Sequence, residues 1–220
     1  MKTLNTFLFT TILVLAFSFS AGAQAREIVL SHYILPDFTE GYVMMNGGRT
    51  QQMFLNYNSV TEEMVFKRGE SILAIGKEEV KEVEYAVIND RRFDVINGKF
   101  YELLYEGDRI VYAEHRCVVI PPGNPAPYGG TSQVSSVDRY SGISDGGLYY
   151  KLQLPDGYTV KPSISYHIIR DGKTTKVYSL KQFRKAYSDK RDAFDKYIKE
   201  NKVVFENPES IIVMAQALNK

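Results

Sequence analysis

The chain has 220 residues, and its 27 Lys and Arg nearly cancel its 26 Asp and Glu, for a formal charge of +1. Near-neutrality leaves no overall electrostatic footprint for nucleic acid. A single cysteine, Cys117, excludes an intrachain disulfide.

The opening segment, MKTLNTFLFTTILVLAFSFSAGAQAREIVL, has the three parts of a secretory signal peptide. Lys2 is its positive start, and Phe7 to Phe19 form an apolar run too short to span a bilayer comfortably. Ala21-Gly22-Ala23 and Ala23-Gln24-Ala25 are both A-x-A cleavage patterns, predicting a cut before Gln24 or Arg26 and a leader over 1–25. No cysteine follows the small residues, so no lipoprotein attachment site is present, and no later run is apolar enough to cross a membrane. The expected product is a soluble periplasmic or extracellular protein of roughly two hundred residues, enough for one sizeable domain or two small ones.

Residues 26–120 read as a β-rich domain. YVMM and QQMFLNY are split by Asn46-Gly47-Gly48, MVFK and SILAI by Arg68-Gly69-Glu70, and RFDVI and KFYELLY by Asn97-Gly98. RIVYAEHRCVVI follows Glu106-Gly107-Asp108. Asn-Gly at two central turn positions supplies the positive φ that tight hairpins need. In FYELLYEG, Tyr101, Leu103 and Tyr105 alternate with Phe100, Glu102 and Leu104, the period-2 pattern of a strand. KEEVKEV, from Lys77 to Val83, fits a helical turn or a charged edge strand equally well. An antiparallel meander of about six to eight strands, as a roll, sandwich or partial barrel, is the simplest arrangement.

Residues 121–147, PPGNPAPYGGTSQVSSVDRYSGISDGG, hold few large apolar side chains and read as a flexible loop or linker. From 148 to 220 the expectation is a β-hairpin and two or three helices. LYYKLQL and SISYHIIR read as strands, and Asp171-Gly172 turns the chain into KTTKVYS. Ser179 and Gln182 form a capping box, with Tyr178 placed to staple against Phe183. Phe194, Tyr197 and Ile198 give a second helix its apolar stripe, and Asn207-Pro208 caps a third carrying Ile211, Met214, Ala215 and Leu218. The predicted class is α+β, mostly β.

Ser144 stands in a G-x-S-x-G match, Gly142 to Gly146. A nucleophile elbow needs a strand entering a sharp turn and a helix leaving it. Ser144 has a polar loop upstream and a strand pattern downstream, so a chance match is the expectation. His32 and His167 each neighbour a Tyr, and His115 and Cys117 form an H-x-C pair, two same-face positions on a strand. Zinc wants four ligands, or three and a water, and nothing in the sequence completes that set. Hydrogen-bonded sheet histidines are expected instead, and Cys117, in RCVVI, reads as a small apolar residue on a buried strand. Glu62-Glu63 and Glu78-Glu79 read as solvated edges. Between Lys181 and Lys202 eight basic residues face four acidic ones, a pattern that i,i+4 pairing and solubility explain. The 16 Tyr, with no Trp, suit a core and its rim, or a peptide platform better than a glycan one.

Three segments, LNYNSVTEEMVFKRGESILAI, FYELLYEGDRIVYAEHRCVVIPPGNPAPYGGTS and YSLKQFRKAYSDKRDAFDKYIKEN, resemble a family of exported Gram-negative envelope proteins of uncharacterised function. That family shares a signal peptide, an N-Y-N-x-x-x-x-x-M-x-F segment and a Lys-rich helical C-terminus. The resemblance implies an exported envelope protein and assigns no residue a role. The functional expectation is a non-enzymatic protein that binds another envelope component, with no catalytic residue, cofactor or metal. The alternatives are a carrier of an apolar or lipidic ligand in a partial barrel, and a hydrolase using Ser144.

Overall fold

Pairs of left-handed residues cut the chain into hairpins. Asn97 and Gly98 (φ 53° and 74°), Asp171 and Gly172 (50° and 72°), and Asn89 and Asp90 (48° and 64°) each lie between two strands. Positive φ at both central positions matches the right-handed twist of the strands it joins. The computed structural model describes residues 32–120 and 159–219, with the backbone of 124–125 and 131–132. The leader over 1–25, most of the loop over 121–147, Ser144 and the LYYKLQL segment lie outside the described residues.

The first four strands are β1 (Thr39–Met45), β2 (Thr50–Asn58), β3 (Glu63–Arg68) and β4 (Ser71–Ala74). A second set comprises β5 (Val83–Ile88), β6 (Arg91–Ile96), β7 (Lys99–Glu106) and β8 (Ile110–Ile120). Two-residue strands β9 (Asn124–Pro125) and β10 (Thr131–Ser132) pair with each other, and β11 (Thr159–Arg170) and β12 (Lys173–Val177) form the last hairpin. All but β9 and β10 belong to one ten-stranded antiparallel sheet, ordered β12-β11-β8-β7-β6-β5-β1-β2-β3-β4. The expected meander is therefore two four-stranded meanders joined through β1 and β5. KEEVKEV resolves as the helical turn: a 3-10 segment, Glu79–Glu82, buries Val80 as the chain crosses from β4 to β5.

The β segments on either side of residues 121–158 share this sheet. β11 pairs with β8 without a break from Thr159↔Ile120 to Ile169↔Ile110. The sheet is open, with β4 and β12 at its edges. It also curls: the Tyr57 ring of β2 stacks on Phe93 of β6 at 5.8 Å, which brings non-adjacent strands together on the concave side.

Strand alternation divides the side chains between two faces. On the concave face Val43, Leu55, Tyr57, Met64, Ala86, Ile88 and Phe93 pack into one core, each at most 2% exposed. Farther along the same face Val111, Ala113, Tyr166, Ile168 and Val177 receive the C-terminal helices α1 (Leu180–Ala186), α2 (Arg191–Glu200) and α3 (Pro208–Leu218). Phe183, Tyr187, Phe194, Ile211 and Met214 supply the helical half of this second core.

The helix starts follow the sequence signals. Ser179 Oγ accepts from the Gln182 N–H at 3.4 Å, and Asn207 Oδ1 accepts from the Glu209 N–H at 3.0 Å. Two details differ from expectation. Gln182 Oε1 accepts from the Tyr178 N–H instead of completing the box at Ser179. Tyr178 is 59% exposed, with Lys176 Nζ 5.3 Å from its ring centre, so the staple to Phe183 is not the arrangement adopted.

Candidate functional site

Two clusters of charged side chains form where β6, β7, β8 and β11 lie side by side, one on each face. The concave cluster centres on Glu102. Alternation along β7 places it between Phe100 and Leu104 on the buried face, where it is only 3% exposed. Its cost of desolvation is met by charge-assisted bonds. Arg91 donates to both oxygens, from Nε at 2.6 Å and Nη2 at 2.7 Å, and His115 Nε2 lies 2.5 Å from Oε2. Burial alone would raise the Glu102 pKa, but the bonds from Arg91 and His115 outweigh it and hold the carboxyl below its ordinary value. An ionised carboxylate only accepts, so His115 carries its proton on Nε2. The Tyr57 ring meets the His115 ring edge-on at 6.4 Å. Cys117, next but one along β8 on this face, has its thiol pushed up to about 11 by burial, so no thiolate stands ready as a nucleophile at neutral pH.

The outer face carries the second cluster. Glu114 of β8 stands opposite Ser165 of β11, and His167 stands opposite Lys176 of β12. Glu114 accepts from Ser165 Oγ at 2.9 Å, His167 Nε2 at 3.1 Å and Lys176 Nζ. Burial pushes its pKa up, yet these three bonds hold it far below the usual carboxylate range. The edge of the Tyr101 ring meets His167 at 4.9 Å. Beside it Glu62, in the β2–β3 turn at φ 60°, accepts from Arg116 Nε and from Lys99 Nζ, each at 2.8 Å. The band continues across the sheet. Asp94 accepts from Tyr112 Oη at 2.7 Å and Arg92 Nε at 2.6 Å, and the Arg92 guanidinium lies 4.2 Å from the centre of the Tyr85 ring. Tyr42 meets Tyr85 edge-on at 6.2 Å. Among the described residues the C-terminal helices cover the β7, β8, β11 and β12 part of the concave face, and this outer band keeps half-buried Tyr rings and cations at the surface.

Glu102 and Glu114 are held ionised by their partners, Glu102 through both oxygens and Glu114 through Oε2. Their geometry is that of ion-pair nodes tying neighbouring strands. The histidines are placed accordingly: His115 is held by Glu102 and His167 by Glu114, while His32 lies ahead of β1, its ring 4.3 Å from that of Tyr33 and tilted to it. Ser144 and its glycines lie outside the described residues.

Other expectations need correction. Glu62 and Glu63 are not solvated edges: Glu62 bridges two cations, and Glu63 Oε2 is buried without a hydrogen-bond partner. Burial raises the Glu63 pKa, against a lowering hydrogen bond from Thr61. Glu78 and Glu79 are exposed, as expected. The tail charges pair between elements, not along one helix. Arg184 of α1 binds Asp195 of α2 at 2.5 Å, Arg109 and Arg170 both bind Asp189, and Lys190 binds Asp108 at 3.2 Å. The alternation of FYELLYEG predicts the face of Glu102 but offers no hint of its partners, because Arg91 and His115 sit on other strands. A separate open groove of about 570 Å³ crosses β1–β3, where Met53, Phe54 and Phe66 lie beside the polar Glu40, Gln52, Lys67 and Arg68.

Set against known proteins, the chain matches no family model, no curated protein and no solved structure. The resemblance to exported envelope proteins rests on the quoted segments alone. Among the described residues no helix is long and apolar enough to cross a membrane.

Proposed function

We propose that this is an exported, non-enzymatic protein of the cell envelope that binds another envelope component through the outer face of its sheet. One observation carries the reading. The strand face turned away from both cores presents Tyr42, Tyr85, Tyr101 and Arg92 in one band across adjacent strands, with no described element packed over it. Tyr and Arg are the side chains that recognition surfaces favour, because each joins a large contact area to a polar tip. The leader supports export. The engagement of Glu102, Glu114, His115 and His167 with one another's neighbours supports a structural role for these groups and leaves contact as the activity.

The reading is tested by placing a photo-reactive amino acid at Tyr85 or Tyr178, with Val213 of α3 as the off-face control, and irradiating intact cells. Adducts from the outer-face positions alone agree with it, and adducts from none of them contradict it. A second reading, carriage of an apolar ligand, draws support from the groove at Met53, Phe54 and Phe66. Because the concave side is filled by side chains, such a ligand would lie on the sheet and not inside it. Native mass spectrometry of the protein released gently from cells decides this: a bound lipid supports carriage, and the bare polypeptide counts against it.

A further inference from the structure

We infer that the outer face of β7, β8, β11 and β12 binds an anionic saccharide chain. This rests on the binding reading above and names the partner of that same face.

Four cations share this part of the sheet. Lys99 of β7 and Arg116 of β8 flank Glu62, Lys161 of β11 stands opposite Val118, and Lys176 of β12 stands opposite His167. Register places all four on the face that holds Tyr101 and Glu114. The two carboxylates among them, Glu62 and Glu114, have side chains only 22% and 5% exposed. The cations reach farther out: Lys99 is 48% exposed, Arg116 29% and Lys176 28%, and Lys161 is exposed. Around Glu62 and Glu114, negative charge is thus sunk into the sheet while four cations stand at its surface; the exposed Glu106 lies on the same face at the far end of β7, opposite Ile110. The patch attracts anions although the whole chain is near neutral.

Its length and its aromatic content narrow the partner. Lys161 and His167 are separated along β11 by about 20 Å at the strand rise, the reach of a chain and not of one small anion. Tyr101, half-buried, and Tyr178, 59% exposed, lie along this stretch and offer ring surface to the C–H faces of sugar rings. An acidic peptide adding as a strand would need the free edge of β12. That edge is five residues long and carries Lys173 and Lys176, the usual blunting of an edge against strand addition.

The test uses calorimetric titration of the purified chain with an oligogalacturonate, a neutral maltooligosaccharide of matched length, and a poly-glutamate peptide. The variants are Lys99→Gln with Lys161→Gln, and separately Tyr178→Ala. These are exposed positions outside both cores, and thermal melts verify that the variants fold. The expected result is saturable binding of oligogalacturonate that weakens with salt and falls by about tenfold in each variant, which corresponds to about 1.4 kcal/mol. The neutral sugar and the peptide are expected not to bind. Equal binding of the maltooligosaccharide, equal binding of poly-glutamate, or unchanged affinity in both variants overturns the inference. Absence of oligogalacturonate binding together with outer-face adducts in cells overturns the saccharide partner and leaves the binding reading standing. Absence of both overturns both.

Discussion

Arg109 and Asp189, eighty residues apart, join the sheet to the helices: Arg109 Nη2 donates to both carboxylate oxygens of Asp189, at 2.7 and 2.6 Å. The Arg109 side chain is wholly buried, with its guanidinium 4.1 Å from the centre of the Tyr187 ring. Its Nε and Nη1 have no hydrogen-bond acceptor, so Asp189 is the anion that compensates a buried charge. Asp189→Asn should therefore lower stability by about 2 kcal/mol, less than for a fully buried pair because Asp189 is partly solvated. Adding Arg109→Met to Asp189→Asn should recover part of the loss, since the second change removes the stranded cation. Urea denaturation of the two single variants and the double variant measures this coupling. A strictly additive cycle would contradict it.

Acid should weaken the fold through Glu102 and Glu114. Both carboxyls are held below their ordinary values by their partners. A depressed carboxyl contributes stability that is present above the unfolded value, near about 4.3 for Glu, and lost as pH falls through the folded value. The urea midpoint should hold from neutrality to mildly acid pH and then drop below roughly pH 4. Glu102→Gln and Glu114→Gln should each flatten that drop while lowering stability at neutral pH. An unchanged acid limb in both variants would exclude these two groups as its source.

Glu63 should behave in the opposite sense. Its pKa is raised by burial, so the folded state prefers the neutral form and loses stability as pH rises through the unfolded value. Glu63→Gln should leave stability at low pH unchanged and increase it at neutral pH. Midpoints compared at acid and neutral pH check both halves of the statement.

The two faces of α3 should respond differently to truncation. Met214 is fully buried in the core beneath the helices, whereas Val213 is 55% exposed. Met214→Ala should cost about 2–5 kcal/mol, and Val213→Ser should stay within about 0.5 kcal/mol of the parent. Thermal melts of the two variants are sufficient.

Cleavage within residues 121–158 should not separate the chain into independent pieces. Ile120 and Thr159 are register partners, the first of eleven consecutive pairs that join β8 to β11. A protease site inserted after Ser141 should yield two fragments that co-elute under native conditions and part only in denaturant. Separation under native conditions would mean that the β8–β11 ladder contributes less than its length implies.

Local signals in the sequence carried the hairpins and the helix caps. Asn97-Gly98 and Asp171-Gly172 announce their turns because glycine accepts positive φ freely. Asn89-Asp90 makes the same turn without glycine, through side chains that tolerate the left-handed region, and so left VEYAVI unmarked as a strand. The β1–β5 pairing that joins the two meanders was not legible, because partner choice between distant strands depends on which faces must be buried together. The same reason hid the candidate site. Glu62, Lys99, Arg116, Glu114, His167 and Lys176 come from five separate stretches, and only the register of β7, β8, β11 and β12 together with the approach of the β2–β3 turn brings them into one patch. Glu102 looked like one polar residue in an alternating strand until Arg91 and His115 arrived from its neighbours.

The most direct test of the account is site-specific photo-cross-linking in intact cells, comparing Tyr85 and Tyr178 on the outer face with Val213 on the helices. The account predicts discrete adducts from Tyr85 and Tyr178, lost when Lys99→Gln and Lys161→Gln are introduced together, and none from Val213. Adducts from Val213 alone, or none from the outer face, would contradict it.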